Sequence, residues 1–476
     1  MKMKHPRHIL QILVLAAALA GCTGAPETQL QITVNGVVYT APLQAADTLD
    51  LMTLSTEFDA VVEVANHKGF DRIAVNDVPL RRGQAAVAVE RIAKDAFLTL
   101  TWSRKGEGGT LLLRTLHPQV PAVVAEGKAT SPGEFYLSYV YLHLVQKYDN
   151  DGNLLFYRME PLSMPEDKSQ VRSNGWWDFK KHVVDGVTYY SYHAHDPEFT
   201  ELGFTGYNPG KRVLLDAHYN PVREYHLLAS RDGFVKDGDP IDGHDFWFFG
   251  PEHYIMSSYI LRDGLYAAYL QEVEDGKVVF DWWSTEHPEM AGWLDPAFRE
   301  TAGPDYVHFN SIDILPDGDW LCSFRHVSSV VKISRADGSG DIVWRIAGAD
   351  PAGVADFHGQ HYARWHAENG SITLFDNGNA AQQTLLLRLD TDLESGAVSA
   401  CRSLVDDPHF SQACGSLTFS GGNTIAGWGI PGGEEGDAAR LLTEYDASGN
   451  PVFTLKHTIP GKANAILASY RSVKYE

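Results

Sequence analysis

The sequence predicts an all-β protein, a six-bladed β-propeller preceded by a small N-terminal β-sandwich. Three observations predict it: a hairpin that recurs six times, a second hairpin ahead of most of those copies, and a stretch before residue 117 that alternates like strands but lacks the period. The recurrent segment reads "apolar, Asp or similar, x, Gly, x, apolar, aromatic". Its copies are VQKYDNDGNLLFYRM around Gly152, LLDAHYNPVREYHLL, LQEVEDGKVVFDWWS around Gly276, VKISRADGSGDIVWRI around Gly338, LRLDTDLESGAVSACRSL and LTEYDASGNPVFTLKH around Gly449. Each is two short strands around a turn that needs positive φ angles, which Asn-Asp-Gly, Asp-Gly and Ser-Gly-Asn supply. The preceding hairpins are clear in HFNSIDILPDGDWLCSF, HYARWHAENGSITLFDN and GSLTFSGGNTIAGWG, and looser in HDFWFFGPEHYIMSSY and FKKHVVDGVTYYSYH. Two hairpins per period make a four-stranded blade, and a chain that repeats such a unit six times closes as a propeller.

In chain order, residues 1–21 read as a lipoprotein signal peptide. Lys2, Lys4 and Arg7 precede an apolar run from Ile9 to Ala20, which is too short for a permanent span, and Leu19-Ala20-Gly21-Cys22 then resembles a lipobox. Cys22 is the expected lipidation site, and residues 22–27 the lipidated cysteine and its linker. Thr23, rather than Asp, follows it. The expectation is therefore an exported lipoprotein of the cell envelope, anchored in the outer membrane and facing the periplasm or the cell surface.

Residues 28–116 are expected to form the sandwich, in which LQITVNGVVYT and DRIAVNDVPLRRGQAAVAVE alternate around Asn-Gly and Asn-Asp turns. Residues 117–476 form the propeller, entered through HPQVPAVV. The final SYRSVKY alternates strongly and is expected to pair with the first blade and close the ring.

Removing the leader takes the 39 Lys and Arg to 36 against 61 Asp and Glu, a net charge of −25. Nucleic acid and anionic lipid are poor partners for such a chain, and the membrane is reached only through the lipid on Cys22. An anionic substrate must then be held by a local cluster of donors. Of the remaining cysteines, Cys401 and Cys414 are the candidate disulfide in an oxidising compartment, and Cys322, in an apolar strand, reads as a buried thiol.

Aligning the first hairpin of successive repeats places His244 in DGHDF, His308 in YVHFNS and His361 in GQHYAR at one phase, where the next repeat has Cys414-Gly415. The first strand of a blade is innermost, so its start borders the central channel. Three imidazoles without a cation would suggest a metal site. Arg325, after the second strand of the His308 repeat, favours an anion instead, because guanidinium presents a planar fork to sulfate, phosphate or carboxylate. Asn310 shares the face of His308. The cluster reads as an axial oxyanion pocket that holds a candidate nucleophile, with no metal. Asp376 and Asn377 in FDNG either face the channel or make the turn at the strand end.

These residues carry a resemblance. HFNSIDILPDGDWLCSFRHVSSVVKI, DIVWRIAG, GQHYARW, ITLFDNG and GNTIAGWG, in that order, are similar to the arylsulfotransferase family, the aryl-sulfate sulfotransferases that do not use PAPS. The resemblance implies a six-bladed propeller with an N-terminal sandwich. It implies sulfuryl transfer from an aryl sulfate to a phenol by a ping-pong path through a sulfohistidine, without cofactor. It also implies His361 as nucleophile, with His308, His244 and Arg325 as further catalytic groups. Asn310 matches the family's asparagine, and His326, in the matching Ser-x-Arg-His motif, joins Asp376 and Asn377 as substrate-binding candidates. Tyr362 stands where a small or acidic residue is expected beside the histidine, and the Cys401 and Cys414 pair corresponds only approximately to a disulfide of relatives.

Two other readings are open. One is a propeller hydrolase or lyase acting on an acidic or sulfated glycan, for which Trp176, Trp177, Trp282 and Trp283 are stacking candidates, although FDWWS also fits blade packing. The other is a surface lipoprotein that binds a ligand without turning it over.

Overall fold

The computed structural model describes residues 29–52, 57–81, 84–93, 96–160, 173–198, 206–348, 354–432, 440–457 and 467–476. The expected signal peptide and Cys22 lie outside the described residues.

Alternation builds the N-terminal part. Strand Gln29–Val34 buries Leu30, Ile32 and Val34 and turns at Asn35-Gly36 into Val37–Pro42. Both turn residues have positive φ, 49° and 86°, so the strands reverse with the twist that a two-residue hairpin requires. Glu57–Val64 and Ala86–Ala93 complete this sheet. A second sheet runs Ala46–Asp50, Glu107–Arg114, Phe97–Arg104, Arg72–Val75 and Val78–Pro79, the first pair parallel. Their apolar faces meet in one core, with Val62, Leu98, Leu100, Trp102 and Leu113 at its centre, which is a sandwich.

Apart from a two-stranded pair, Ser411–Ala413 with Ile430–Pro431, the remaining sheets among the described residues are the blades of a six-bladed propeller. Among the described residues, blades two to five each take four consecutive antiparallel strands, whose innermost members are Trp177–Val184, Phe246–Gly250, Phe309–Ile314 and His361–His366. Blade six contains Ser416–Ser420, Asn423–Gly427, Arg440–Tyr445 and Pro451–His457. The repeat explains the regularity. Gly152, Gly276, Gly338, Gly396 and Gly449 all sit at positive φ in the outer turns, between 71° and 82°.

Blade one is built from both halves of the chain. Glu134–Tyr139, Leu144–Tyr148 and Leu154–Met159 pair in order, and Ser469–Tyr475 lies antiparallel to Glu134–Tyr139 as the innermost strand. SYRSVKY therefore closes the ring as expected. A second closure was not visible in the sequence: Val123–Gly127, which begins at the end of the stretch read as a connection, pairs with Pro451–His457 and gives blade six a fifth, outermost strand.

The expected disulfide does not form, because the two thiols are free and far apart. Cys401 lies on the outermost strand of blade five, three strands from its inner strand, whereas Cys414 sits at the axial end of blade six. Three strand spacings amount to about 14 Å, well beyond the reach of a disulfide. Cys322 is buried in an inner hairpin, as its neighbours predict.

Candidate active site

The axial ends of the inner strands are irregular, and this irregularity aims side chains at the channel. Register shifts interrupt blade two between Trp177 and Lys180, blade four between Phe309 and Ser311, and blade five between His361 and Arg364. Asp178, His308, Tyr362 and Cys414 adopt positive φ there, between 52° and 62°. Bulges of this kind turn a strand and redirect its residues, and non-glycine residues hold the left-handed region only where their surroundings demand it.

His244, His308 and His361 are all buried and converge on the axis with Arg325. The rings of His244 and His308 lie edge to face, 4.9 Å apart. Each histidine offers Nδ1 to a different partner. His244 Nδ1 meets the carboxylate of Asp242, and His308 Nδ1 lies 2.5 Å from Asp305 Oδ2. His361 Nδ1 lies 2.6 Å from Asn377 Oδ1, a carboxamide. In each case Nε2 is left for the channel.

Electrostatics keeps the nucleophile candidate neutral. Burial first, then the charge of Arg325, holds the His361 imidazole well below the usual histidine range, against the opposing hydrogen bond from Asn377. Burial, with His244 and Arg325, does the same to His308. Burial also pushes the Asp305 carboxyl up to about 6, although His326 and His244 pull it down.

Arg325 stands on a backbone N–H donated to His308 O at 2.8 Å, and its guanidinium lies 4.4 Å from the Phe298 ring. One Nη2 hydrogen goes to Gln412 O at 3.2 Å. Its Nε is buried with no partner among the described residues, and burial lowers the guanidinium to about 10. A buried donor without an acceptor costs the fold about 1–3 kcal/mol, so this nitrogen is an opening for an anion. Asn310 uses its donor inside the fold. Its Nδ2 donates to Gln360 O at 2.7 Å, and the buried atom left without a partner is the acceptor Oδ1.

The other candidates separate. His326 Nδ1 faces Asp305 O at 2.6 Å, and its ring is wedged between His308, 4.6 Å away, and Phe298, 5.1 Å away. Burial and His308 push it down to about 3, so it backs His308 as a neutral ring. Asp376 Oδ1 accepts from the backbone N–H of His358 and Gly378, at 2.8 and 2.9 Å, which makes it the turn-forming residue of FDNG. Asn377 faces His361.

Asp305, His308 and His326 gather ligand atoms within 4.8 Å of one another. The 2.5 Å contact between His308 and Asp305 is that of a hydrogen bond. Two ligands of one zinc ion stand about 3.3 Å apart, and the Arg325 cation is adjacent, so these residues fit a proton-holding dyad better than a metal. The tryptophans considered for sugar stacking do not line a groove. Trp176, Trp177, Trp282 and Trp283 are all buried, and Trp177 stacks on Tyr470 at 4.4 Å.

Beneath the histidines lies an ionic floor that sequence reasoning missed. Asp178 binds Arg212 Nη1 at 2.9 Å and Arg471 Nη1 at 2.6 Å, while Asp245 binds Arg364 Nη2 at 2.9 Å and also Lys180. Burial alone would raise both carboxyls. Lys180, Arg471 and Arg212 around Asp178, and Lys180, Arg364 and Arg471 around Asp245, outweigh it and hold both below the usual range. Four cations here outnumber the two carboxylates and Asp313, which acts on Arg364, so the floor carries an excess of positive charge, and Arg471 Nη2 donates to Asn310 O at 2.6 Å. Tyr362 belongs to this floor, with the guanidiniums of Arg364 and Arg471 at 3.9 and 4.8 Å from its ring. Its positive φ turns it away from the direction of His361, which explains a bulky residue beside the histidine.

Asp242 and Asp305 were legible in principle, since IDGH and DYVH each place an aspartate just ahead of the aligned histidine. Asn377 carries no such signal, because it comes from the neighbouring strand end. Gly206 was also missed. A Cβ there would lie 2.7 Å from His308 Cε1, so this glycine lets its loop close over the ring.

The molecule is thus a propeller with a buried histidine–arginine pocket on its axis. Residues 262–458 match the model of the arylsulfotransferase (ASST) family, to which that segment is similar. No curated protein matches the chain. Solved structures that resemble it include virginiamycin B lyase from Staphylococcus aureus, at 10% identity over 70% of this chain and 99% of that one, with a TM-score of 0.31. A quinonprotein alcohol dehydrogenase-like protein from Bacteroides thetaiotaomicron gives 10% identity over 90% and 95%, with a TM-score of 0.33. Dihydro-heme d1 dehydrogenase NirN gives 13% over 70% of this chain, which spans 55% of that one, at 0.32. Similarities at this level carry no argument about chemistry.

Proposed function

We propose that the chain transfers a sulfuryl group from an aryl sulfate to a phenol through a sulfated His361, without PAPS. The single observation that carries this reading is the geometry at His361: a buried imidazole whose Nδ1 is occupied by Asn377, leaving Nε2 as the nitrogen for attack, within the electrostatic reach of Arg325, whose buried Nε has no partner among the described residues.

Sulfuryl transfer resembles phosphoryl transfer, in which charge spreads over the equatorial oxygens and preorganised donors supply most of the rate. In the first half-reaction the Nε2 lone pair of His361 attacks sulfur and the S–O bond to the aryl group breaks. The phenolate departs with the bond's electrons, while Arg325 and the excess charge of the floor stabilise the transferring oxygens. In the second half a phenol attacks the same sulfur and the N–S bond breaks. Its proton goes to Nε2 of one of the two carboxylate-backed imidazoles, His244 or His308. The orphan Oδ1 of Asn310 suits the hydroxyl of an incoming phenol better than a sulfuryl oxygen, because it can only accept.

The test is a chromogenic aryl sulfate offered to the soluble form without residues 1–22, with and without a phenol, together with a mass search of His361 peptides. The expected result is phenol-dependent release of the chromophore and an added sulfuryl group on His361, both lost in His361→Asn. No release and no label across several donors would sink the reading. Residues 1–22 are read as the export and lipidation signal, which would hold the protein to the envelope. The mass of the mature N-terminus tests that.

A further inference from the structure

Asn377 is committed at one end and leaves the other no choice. Its Nδ2 donates to Ser411 O at 2.8 Å and to Cys414 O at 3.0 Å, so both amide hydrogens are spent on carbonyls of the approach to blade six. The group that faces His361 is therefore Oδ1, which has only lone pairs, and a contact of 2.6 Å requires His361 Nδ1 to carry the proton. The comparison with the other two axial histidines sharpens the point. His244 and His308 have carboxylates at Nδ1, which can both accept a hydrogen bond and take a proton, whereas a carboxamide can do only the first.

We propose that Asn377 is a positioning residue that fixes His361 as the Nδ1–H tautomer and keeps that proton on the ring while Nε2 carries the sulfuryl group; this rests on the sulfohistidine reading above. The proton matters to the second half-reaction. When neutral His361 attacks through Nε2, the product is an N-sulfoimidazolium whose positive ring balances the sulfuryl charge. The phenol then displaces a neutral imidazole, a good leaving group. Were Nδ1 to surrender its proton, the intermediate would be an N-sulfoimidazole and the leaving group an imidazolide anion, a far poorer one. An aspartate at 377 would take that proton; asparagine cannot.

The substitution Asn377→Asp should therefore leave the first half-reaction at its wild-type rate or faster, because a carboxylate enriches the imidazole. It should slow transfer to the phenol by about tenfold or more, so that sulfated His361 accumulates. Asn377→Leu, which releases the tautomer, should slow both halves. A purely structural role would slow both halves alike in the aspartate variant as well, and that outcome overturns the proposal, as does a variant with both halves at wild-type rates.

A second measurement needs no turnover. Nitrogen-15 spectra of histidine-labelled protein, with the His361 signal identified by its loss in His361→Asn, report which ring nitrogen is bare. A protonated Nδ1 and bare Nε2 in the wild-type protein support the assignment, and the reverse defeats it even if the asparagine variants fail to fold. Should the wild-type protein transfer no sulfuryl group, the proposed function falls, and the spectrum still decides what Asn377 does to His361.

Discussion

At the scale of single residues, the pocket assigns roles by the partner behind each ring. Among the described residues, Arg325 keeps a buried Nε without a partner, so an anion can claim that donor without breaking a bond of the fold. Arg325→Lys keeps a charge but removes the planar fork, and we expect kcat/KM for the aryl sulfate to fall about 100-fold with little change in melting temperature, as for the loss of one oxyanion donor. Steady-state kinetics beside a thermal melt checks both halves of that statement. The three histidines were legible in the sequence because a propeller repeats its phase, so His244, His308 and His361 fall in register. Their partners were not equally legible. Asp242 and Asp305 precede their histidines by unequal steps, one on a short strand paired with blade two and the other in a loop, and Asn377 reaches His361 across a hairpin.

At the scale of elements, the repeat made the blades readable and the closures only half so. Ser469–Tyr475 alternates in a way that any inner strand must, but Val123–Gly127 has no blade of its own and presents no repeat to recognise. Its role follows from pairing with Pro451–His457, a contact remote in sequence. The cysteines teach a similar lesson: proximity in sequence does not bring together an outer strand and an axial turn. Because Cys322, Cys401 and Cys414 are free, the melting temperature should be the same with and without a reductant. A drop on reduction would restore the disulfide. Deleting residues 469–476 should be far more severe, since it removes the inner strand of blade one with Tyr470 and Arg471. Loss of the cooperative melt is the expected result.

At the scale of the whole molecule, the ionisable groups make stability depend on pH in a direction that can be worked out. His193 and His326 are held down to about 3, and His457 to about 4, each chiefly by burial. His182, His308 and His361 are held well below their usual value, again chiefly by burial. Once pH falls below the unfolded value of about 6.5, the unfolded chain binds protons that the fold refuses, at about 1.4 kcal/mol per pH unit for each group. Asp305, pushed up to about 6, and Asp376, pushed up to about 7, act oppositely, since the fold binds their protons more readily. His226 and His366 are lowered too, chiefly by burial, while Asp313, raised by burial, and His358, raised by its bond to Asp295, join the opposing side; eight lowered histidines outnumber these four groups, so the melting temperature should decline steadily from pH 6.5 to pH 4.5. A melt that rises over that interval would contradict the neutral, buried state of these rings.

The closure of blade one also bears on when the pocket comes into being. Ser469–Tyr475 follows every other strand in chain order, yet it supplies Arg471, whose guanidinium ties Asp178 to the backbone of Asn310, and Tyr470, whose hydroxyl donates to His244 O at 3.0 Å. A chain still being made can have every axial histidine already emerged and yet lack the scaffold that sets them. The scaffold of the pocket is in this way incomplete until that strand has been added, however early the histidines themselves are in place.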